Sequence, residues 1–313
     1  MTDGPPTPGR EADAAPDSSL HAAKPAALKP RARRALIARL TERLDPERAA
    51  LMDGSGRTAT FEDNLVASLS AEQVATLRAQ LSTGDGNELT PGKDGQRPDA
   101  HAAHSSAALA CNAFGAWIGR EEQLVIDGID RFTEQLRVEA KQPIFRGGRP
   151  PNLDCLLVGP DVAVGVESKL TEPLARHSPA TWSEAYGRDS CRALLSDGWL
   201  KALDDARAGT YAPTYLDIDQ LLKHALGLRK QHPQDDVHLV YVYWEPTDGS
   251  ELLEVRAHRK EVQELLGRVG EASPRLHALT YRQLWDEWQG LPGLPWLTAH
   301  LDELRGRYDT AVY

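Results

Sequence analysis

Apolar positions along the chain follow two rhythms, and the change from one to the other divides it. In "RARRALIARLTERL" Leu36, Ile37, Leu40 and Leu44 recur at helical spacing. "SAEQVATL" predicts a second helix starting at Ser70, with Gln73 three residues on in a capping-box pattern. The glycines, prolines and polar residues of "STGDGNELTPGKDGQRP" mark a loop and a soft boundary after it. From about residue 104 helical and strand patterns mix. "SSAALACNAFGAWIG" reads as a helix capped by Ser105 or Ser106, and "RFTEQLRVEA" alternates Phe132, Leu136 and Val138 with polar neighbours as a strand does. "NLDCLLV" and "VAVGVESKL" read as buried strands joined by the Gly-Pro-Asp turn at residues 159–161. "DIDQLLKHALGL" is a helix and "VHLVYVYW" a strand; then come helix "RKEVQELLGRV", short strand "RLHALTY" and helix "RQLWDEWQ". Helix, three strands, helix, strand is a mixed α/β order, not a repeating βαβ one.

Three segments result. Residues 1–33 form a tail too poor in large apolar side chains to offset its ordering entropy, so disorder is expected there. Residues 34–100 form a helical region and loop, and residues 101–313 an α/β domain with a C-terminal helical extension. No internal repeat is visible.

Composition narrows the picture a little. The 313 residues are 41% hydrophobic and 26% charged, as in ordinary globular proteins. No apolar run reaches membrane-spanning length and no hydrophobic leader core is present, so a cytoplasmic protein is expected. Cys111, Cys155 and Cys191 are widely spaced and odd in number, which suits a reduced compartment and gives neither a disulfide framework nor zinc-type pairing. A formal charge of −10 argues against a general nucleic-acid coating protein but leaves room for a local basic cleft.

The chemistry lies where charges interrupt apolar strands. In "VAVGVESK" alternation places Ala163, Gly165, Glu167 and Lys169 on one face, and Val162, Val164, Val166 and Ser168 on the other. Asp154, on the preceding strand, comes alongside Glu167 if the two strands pair. A surface salt bridge would be the usual explanation of such residues, but both strands are apolar around the charges. Two buried carboxylates repel unless a proton or cation lies between them, and a hard divalent ion, Mg²⁺ or Mn²⁺, relieves that cost. A lysine beside such an ion can hold an attacking water or stabilise developing negative charge. The combination fits phosphodiester hydrolysis.

Asp154, twelve intervening residues and then Glu167-Ser168-Lys169 resembles the PD-(D/E)XK nuclease superfamily, with the proline displaced to Pro151. The resemblance covers about residues 105–245. It implies a restriction-endonuclease-like α/β core, a central mixed sheet of about four strands flanked by helices. It further implies that Asp154 and Glu167 bind Mg²⁺ or Mn²⁺, with the main-chain carbonyl of Ser168 as a further ligand, and that Lys169 serves the attacking water. Nucleic acid, DNA before RNA, would be the substrate; a homodimer is compatible with the sequence, which does not fix the oligomeric state.

Further residues are read around this centre. Gln220 and His224, four apart on one helix face, resemble the Gln-X-X-X-Tyr motif of exonuclease-like members with His in place of Tyr; alternatively, Asp217 caps the helix and Gln220 completes a capping box. Glu134 is the candidate extra acid, with Glu139 a weaker one. Arg146 and Arg149 in "FRGGRPPN" flank two glycines and form a candidate phosphate clamp, or a plain solvated loop. His101 and His104 of "HAAH" lack further metal ligands nearby, "GDGNE" lacks the acids of a calcium loop, and "TPGKDG" lacks the remainder of a phosphate loop. Trp285, Trp288 and Trp296 suit core packing of a C-terminal helix. Two function classes stand: a Mg²⁺-dependent nuclease, and a non-catalytic scaffold or binding module on the same fold.

Overall fold

A computed structural model describes residues 1, 27–84, 87–147, 150–178 and 181–313. Its elements run α1 (Leu28–Arg43), α2 (Pro46–Ala50), α3 (Ala71–Thr83), α4 (Ser106–Phe114), β1 (Arg137–Lys141), β2 (Asn152–Val158) and β3 (Val162–Lys169). After these come α5 (Asp189–Arg192), α6 (Asp197–Ala208), α7 (Ile218–Gln231) and β4 (Asp236–Tyr243). The chain closes with α8 (Leu253–Val269), β5 (Arg275–Thr280), α9 (Tyr281–Gln289) and α10 (Pro295–Tyr308).

The strands form one sheet in the order β1-β2-β3-β4-β5. The β1–β2 and β2–β3 pairs are antiparallel, and β3–β4 and β4–β5 are parallel. The sheet is therefore the mixed one expected, with β5 as a fifth strand on its parallel edge. The β2–β3 hairpin closes through Gly159, whose N–H donates to Val162 O at 2.9 Å. Only glycine fits there, because a Cβ would stand 2.3 Å from Arg131 O.

Helices cover both faces. Val164, Val166, Val240 and Val242 pack with Leu36, Leu77, Phe114 and the fully buried Trp285 and Trp288 on one side. On the other, Leu153, Leu156 and Leu239 pack with Trp199, Leu222, Leu226 and Leu265. Trp296 is partly buried, its ring 5.1 Å from that of Trp117, so the C-terminal tryptophans do pack as core. No helix among the described residues is long and apolar enough to cross a membrane.

Three boundaries differ from the sequence pattern. The strand expected across residues 131–140 begins at Arg137; Phe132 and Leu136 are buried from an irregular segment instead. The tail expected over residues 1–33 falls largely on residues 2–26, outside those described, while α1 already starts at Leu28. Leu28 and Ala32 extend the buried stripe of Leu36 and Leu40 by two turns, and that burial stabilises the earlier start. Leu28, Phe61 and Leu77 also share one core with Val164 and Trp288, so residues 34–100 do not have a separate core.

Candidate active site

Register brings the acids together. The β2–β3 pair Cys155↔Val166 sets Asp154 opposite Glu167 one step further along. On the other side of β2, the pairs Val138↔Cys155 and Ala140↔Leu153 bracket Glu139 against Asp154. Glu139, Asp154 and Glu167 thus stand at one level on three adjacent strands. The ladder is distorted there: Glu139 has φ of 50°, in the left-handed region that a residue with a side chain adopts only under tertiary constraint.

The three acids open on a cleft of about 260 Å³ that is also lined by Glu88, Ser106, Asn152, Lys169 and Gln220. Asp154 Oδ2 accepts from the Ser168 N–H at 2.7 Å. Burial raises the Asp154 carboxyl well above its ordinary range, and the nearby charges of Glu167 and Glu139 raise it further. Glu167 is 1% exposed. Burial pushes its carboxyl up, but Lys169 and His224 outweigh that and hold it at about 2. His224 Nε2 lies 2.8 Å from Glu167 Oε2, and Lys169 forms a close ion pair with Oε1. Neither contact is aligned as a hydrogen bond, so both buried Glu167 oxygens lack a well-aligned donor. Burial alone would lower the Lys169 ammonium, but Glu167, Glu172 and Asp154 raise it above its ordinary value.

The helix side of the cleft comes from α7. Lys169 Nζ donates to Gln220 Oε1 at 2.6 Å, and His224 is fully buried behind it. Asp217 does cap α7, accepting from Gln220 N at 3.0 Å. The cap is a simple one: Gln220 supplies its backbone N–H, and its side chain reaches Lys169 instead of closing the expected capping box. Ser168 turns to the opposite face, its Oγ 2.6 Å from Tyr281 Oη.

Other expectations part company with the structure. Glu134 does not line the cleft; it is exposed, 3.8 Å from Arg137, because β1 starts three residues beyond it. Glu139, the weaker candidate, lines the cleft instead. Its signal is present in "RVEAK", but a strand counted from Phe132 obscures it. Arg146 is exposed and outside the cleft lining, and Arg149 lies outside the described residues. Glu88 joins the cleft without a sequence signal, since nothing local in "GNELT" marks it. A further group, His177 with Asp217 and Asp219, gathers at the start of α7, with His177 Nε2 3.4 Å from Asp217 and 3.6 Å from Asp219. His177 has no motif around it, so only folding brings it there. His104 is neutral at pH 7, held at about 4 by burial and by the charges of Arg33 and Arg57.

A family model described as "Restriction Endonuclease associating with ARP" matches residues 46–309. No curated protein and no solved structure matches the chain.

Proposed function

The chain belongs to the family described as "Restriction Endonuclease associating with ARP", and from that premise we propose that it is a metal-dependent nuclease hydrolysing phosphodiester bonds of DNA. The observation that carries the reading is the row of Glu139, Asp154 and Glu167 across β1, β2 and β3, with Lys169 in the same cleft.

These residues fit a hard divalent cation. Carboxylates set on neighbouring strands repel, Asp154 is pushed toward its protonated form, and the Glu167 oxygens lack aligned donors. Mg²⁺ or Mn²⁺ would be held by Asp154, Glu167 and the main-chain carbonyl of Ser168, with Glu139 alongside. Such an ion supplies Lewis-acid polarisation of the scissile phosphate and a lowered pKa for bound water.

The protein's own groups do the rest. Lys169 is kept charged by its carboxylate neighbours and positioned by Gln220, so it is available to hold the attacking water or meet the developing negative charge. His224 and the α7 cap fix Glu167 and Gln220, so that little reorganisation is needed when substrate enters.

The test is cleavage of supercoiled and linear DNA, and of RNA, in Mg²⁺, Mn²⁺ or EDTA. Cleavage should require the metal and disappear in Asp154→Ala and Glu167→Ala, with the circular dichroism spectrum unchanged. Activity that persists in EDTA, or survives Glu167→Ala, sinks the assignment. A folded, metal-binding protein inert on every substrate would make the chain a scaffold on the same fold.

A further inference from the structure

The cleft does not end at the carboxylates. Lys169 is shared with a neighbouring cavity of about 210 Å³ that Lys29, Arg176 and Tyr215 also line. Glu88 and Ser106 are shared with one of about 330 Å³ that Arg33 and His104 line. Glu172 lines both of those neighbours, so the three cavities adjoin through shared walls and together make up one trough.

Helix α1 contributes two cations to this trough. Lys29 and Arg33 are four residues apart and so share a helical face, while Leu28, Ala32, Leu36 and Leu40 bury the other. Neither cation has a carboxylate within ion-pair distance among the described residues, unlike Arg57, which is paired to Asp99 at 2.6 Å. The acid nearest Lys29, Glu172, already accepts from Leu170 N at 2.8 Å. Burial lowers the Lys29 amine, Glu172 opposes this, and Arg33 and Lys169 lower it further. The helix start worsens the crowding. Ala27 offers no side-chain cap, and the first turn holds no acid to offset the positive end of the helix dipole. A chain of net charge −10 has ample carboxylate, yet among the described residues none is placed in ion-pair contact with these two groups.

We propose that Lys29 and Arg33 of α1 grip backbone phosphates of nucleic acid laid along the trough, beside Lys169. This rests on the reading of the cleft as a nuclease site. It adds a binding element outside the matched span, since α1 precedes residue 46. Contacts of this kind bind phosphate without reading sequence, so the helix would set affinity and register on the strand.

The experiment is fluorescence anisotropy of a labelled DNA duplex in EDTA, as a function of salt, alongside the cleavage assay with Mg²⁺. Lys29→Ala/Arg33→Ala should weaken binding about tenfold and reduce the slope of log K against log salt by roughly two, one for each phosphate no longer neutralised. Lys29→Arg/Arg33→Lys should keep the wild-type slope. Arg256→Ala/Lys260→Ala, the same loss of charge on exposed positions of α8 that do not line the trough, should leave the slope unchanged. Thermal unfolding of each variant checks that α1 stays docked. Wild-type protein that binds and cleaves DNA, with the α1 double variant keeping its full slope, overturns this proposal and leaves the nuclease reading standing. An equal drop in the α8 control also overturns it, because net charge would then be the cause. Wild-type protein that neither binds nor cleaves any nucleic acid removes both.

Discussion

Each acid of the cleft has a different environment, so each substitution has its own expected outcome. Asp154 is half-buried beside two like charges, and without metal its ionised form is a burden on the fold. Asp154→Asn keeps an acceptor for the Ser168 N–H and removes the charge. In EDTA it should raise the unfolding free energy by about 1 kcal/mol or more while abolishing cleavage. Lys169→Ala should leave metal binding largely intact and lower turnover by about two to four orders of magnitude. Lys169→Arg should not restore it, since a planar guanidinium does not replace a compact ammonium wedged between Glu167 and Gln220. Glu139→Gln and Glu134→Gln separate the two extra-acid candidates. The first should raise the Mg²⁺ concentration needed for half-maximal cleavage, by roughly 10-fold or more. The second, at an exposed position, should not change it.

At the scale of elements, the site depends on how closely α7 approaches the sheet. Gly227 allows that approach: a Cβ there would stand 2.6 Å from Gln142 Cβ and 2.9 Å from Gln142 O. Gly227→Ala should cost about 1–3 kcal/mol, because the helix must shift. The shift moves Gln220 and His224 away from Lys169 and Glu167, so cleavage should fall more than the stability loss explains. Gly267→Ala on α8 is the contrast, since open space surrounds that position. It should stabilise by up to about 1 kcal/mol and leave activity alone. Denaturant titration with parallel cleavage assays reads both. Equal stability in the two variants would show that the α7 contact is looser than the geometry indicates.

The whole molecule carries a pH dependence separate from catalysis. His258, paired with Tyr241 Oη at 2.9 Å, is lowered by burial to about 3, and His300, 2.8 Å from Ser68 Oγ, to about 4. Both have folded values below the unfolded 6.5, so the unfolded chain binds more protons through the interval between them. Their neutral forms cost the fold nothing above pH 6.5, and stability is lost as pH falls from there. Each histidine adds up to about 1.4 kcal/mol per pH unit to that slope. Glu167 is lowered from 4.5 to about 2, so its contribution is lost only as pH falls below about 4.5. Urea unfolding between pH 5 and 6.5 in the Asp154→Asn background, which removes the raised carboxyl and its opposite slope, therefore reads the buried histidines. His258→Gln should reduce the slope there by about one proton; a slope equal to that of Asp154→Asn alone would contradict the buried neutral histidine.

What the chain alone determined was local. Valine-rich alternation marked β2 and β3, and the charges inside that alternation marked Asp154, Glu167 and Lys169, because burial on a strand is a period-two property of neighbouring residues. Asp217 and Gln220 were legible for the same reason, as a cap completed within one helical turn. What the tertiary structure decided was distance between segments far apart in sequence. Glu139 reaches the acids through the register of β1 on β2 and a left-handed residue, neither of which leaves a periodic trace. Lys29 and Arg33 of α1, more than a hundred residues before Lys169, reach the trough because the buried face of α1 packs on the sheet core. An amphipathic pattern tells which face of a helix is buried, and not what its open face will meet.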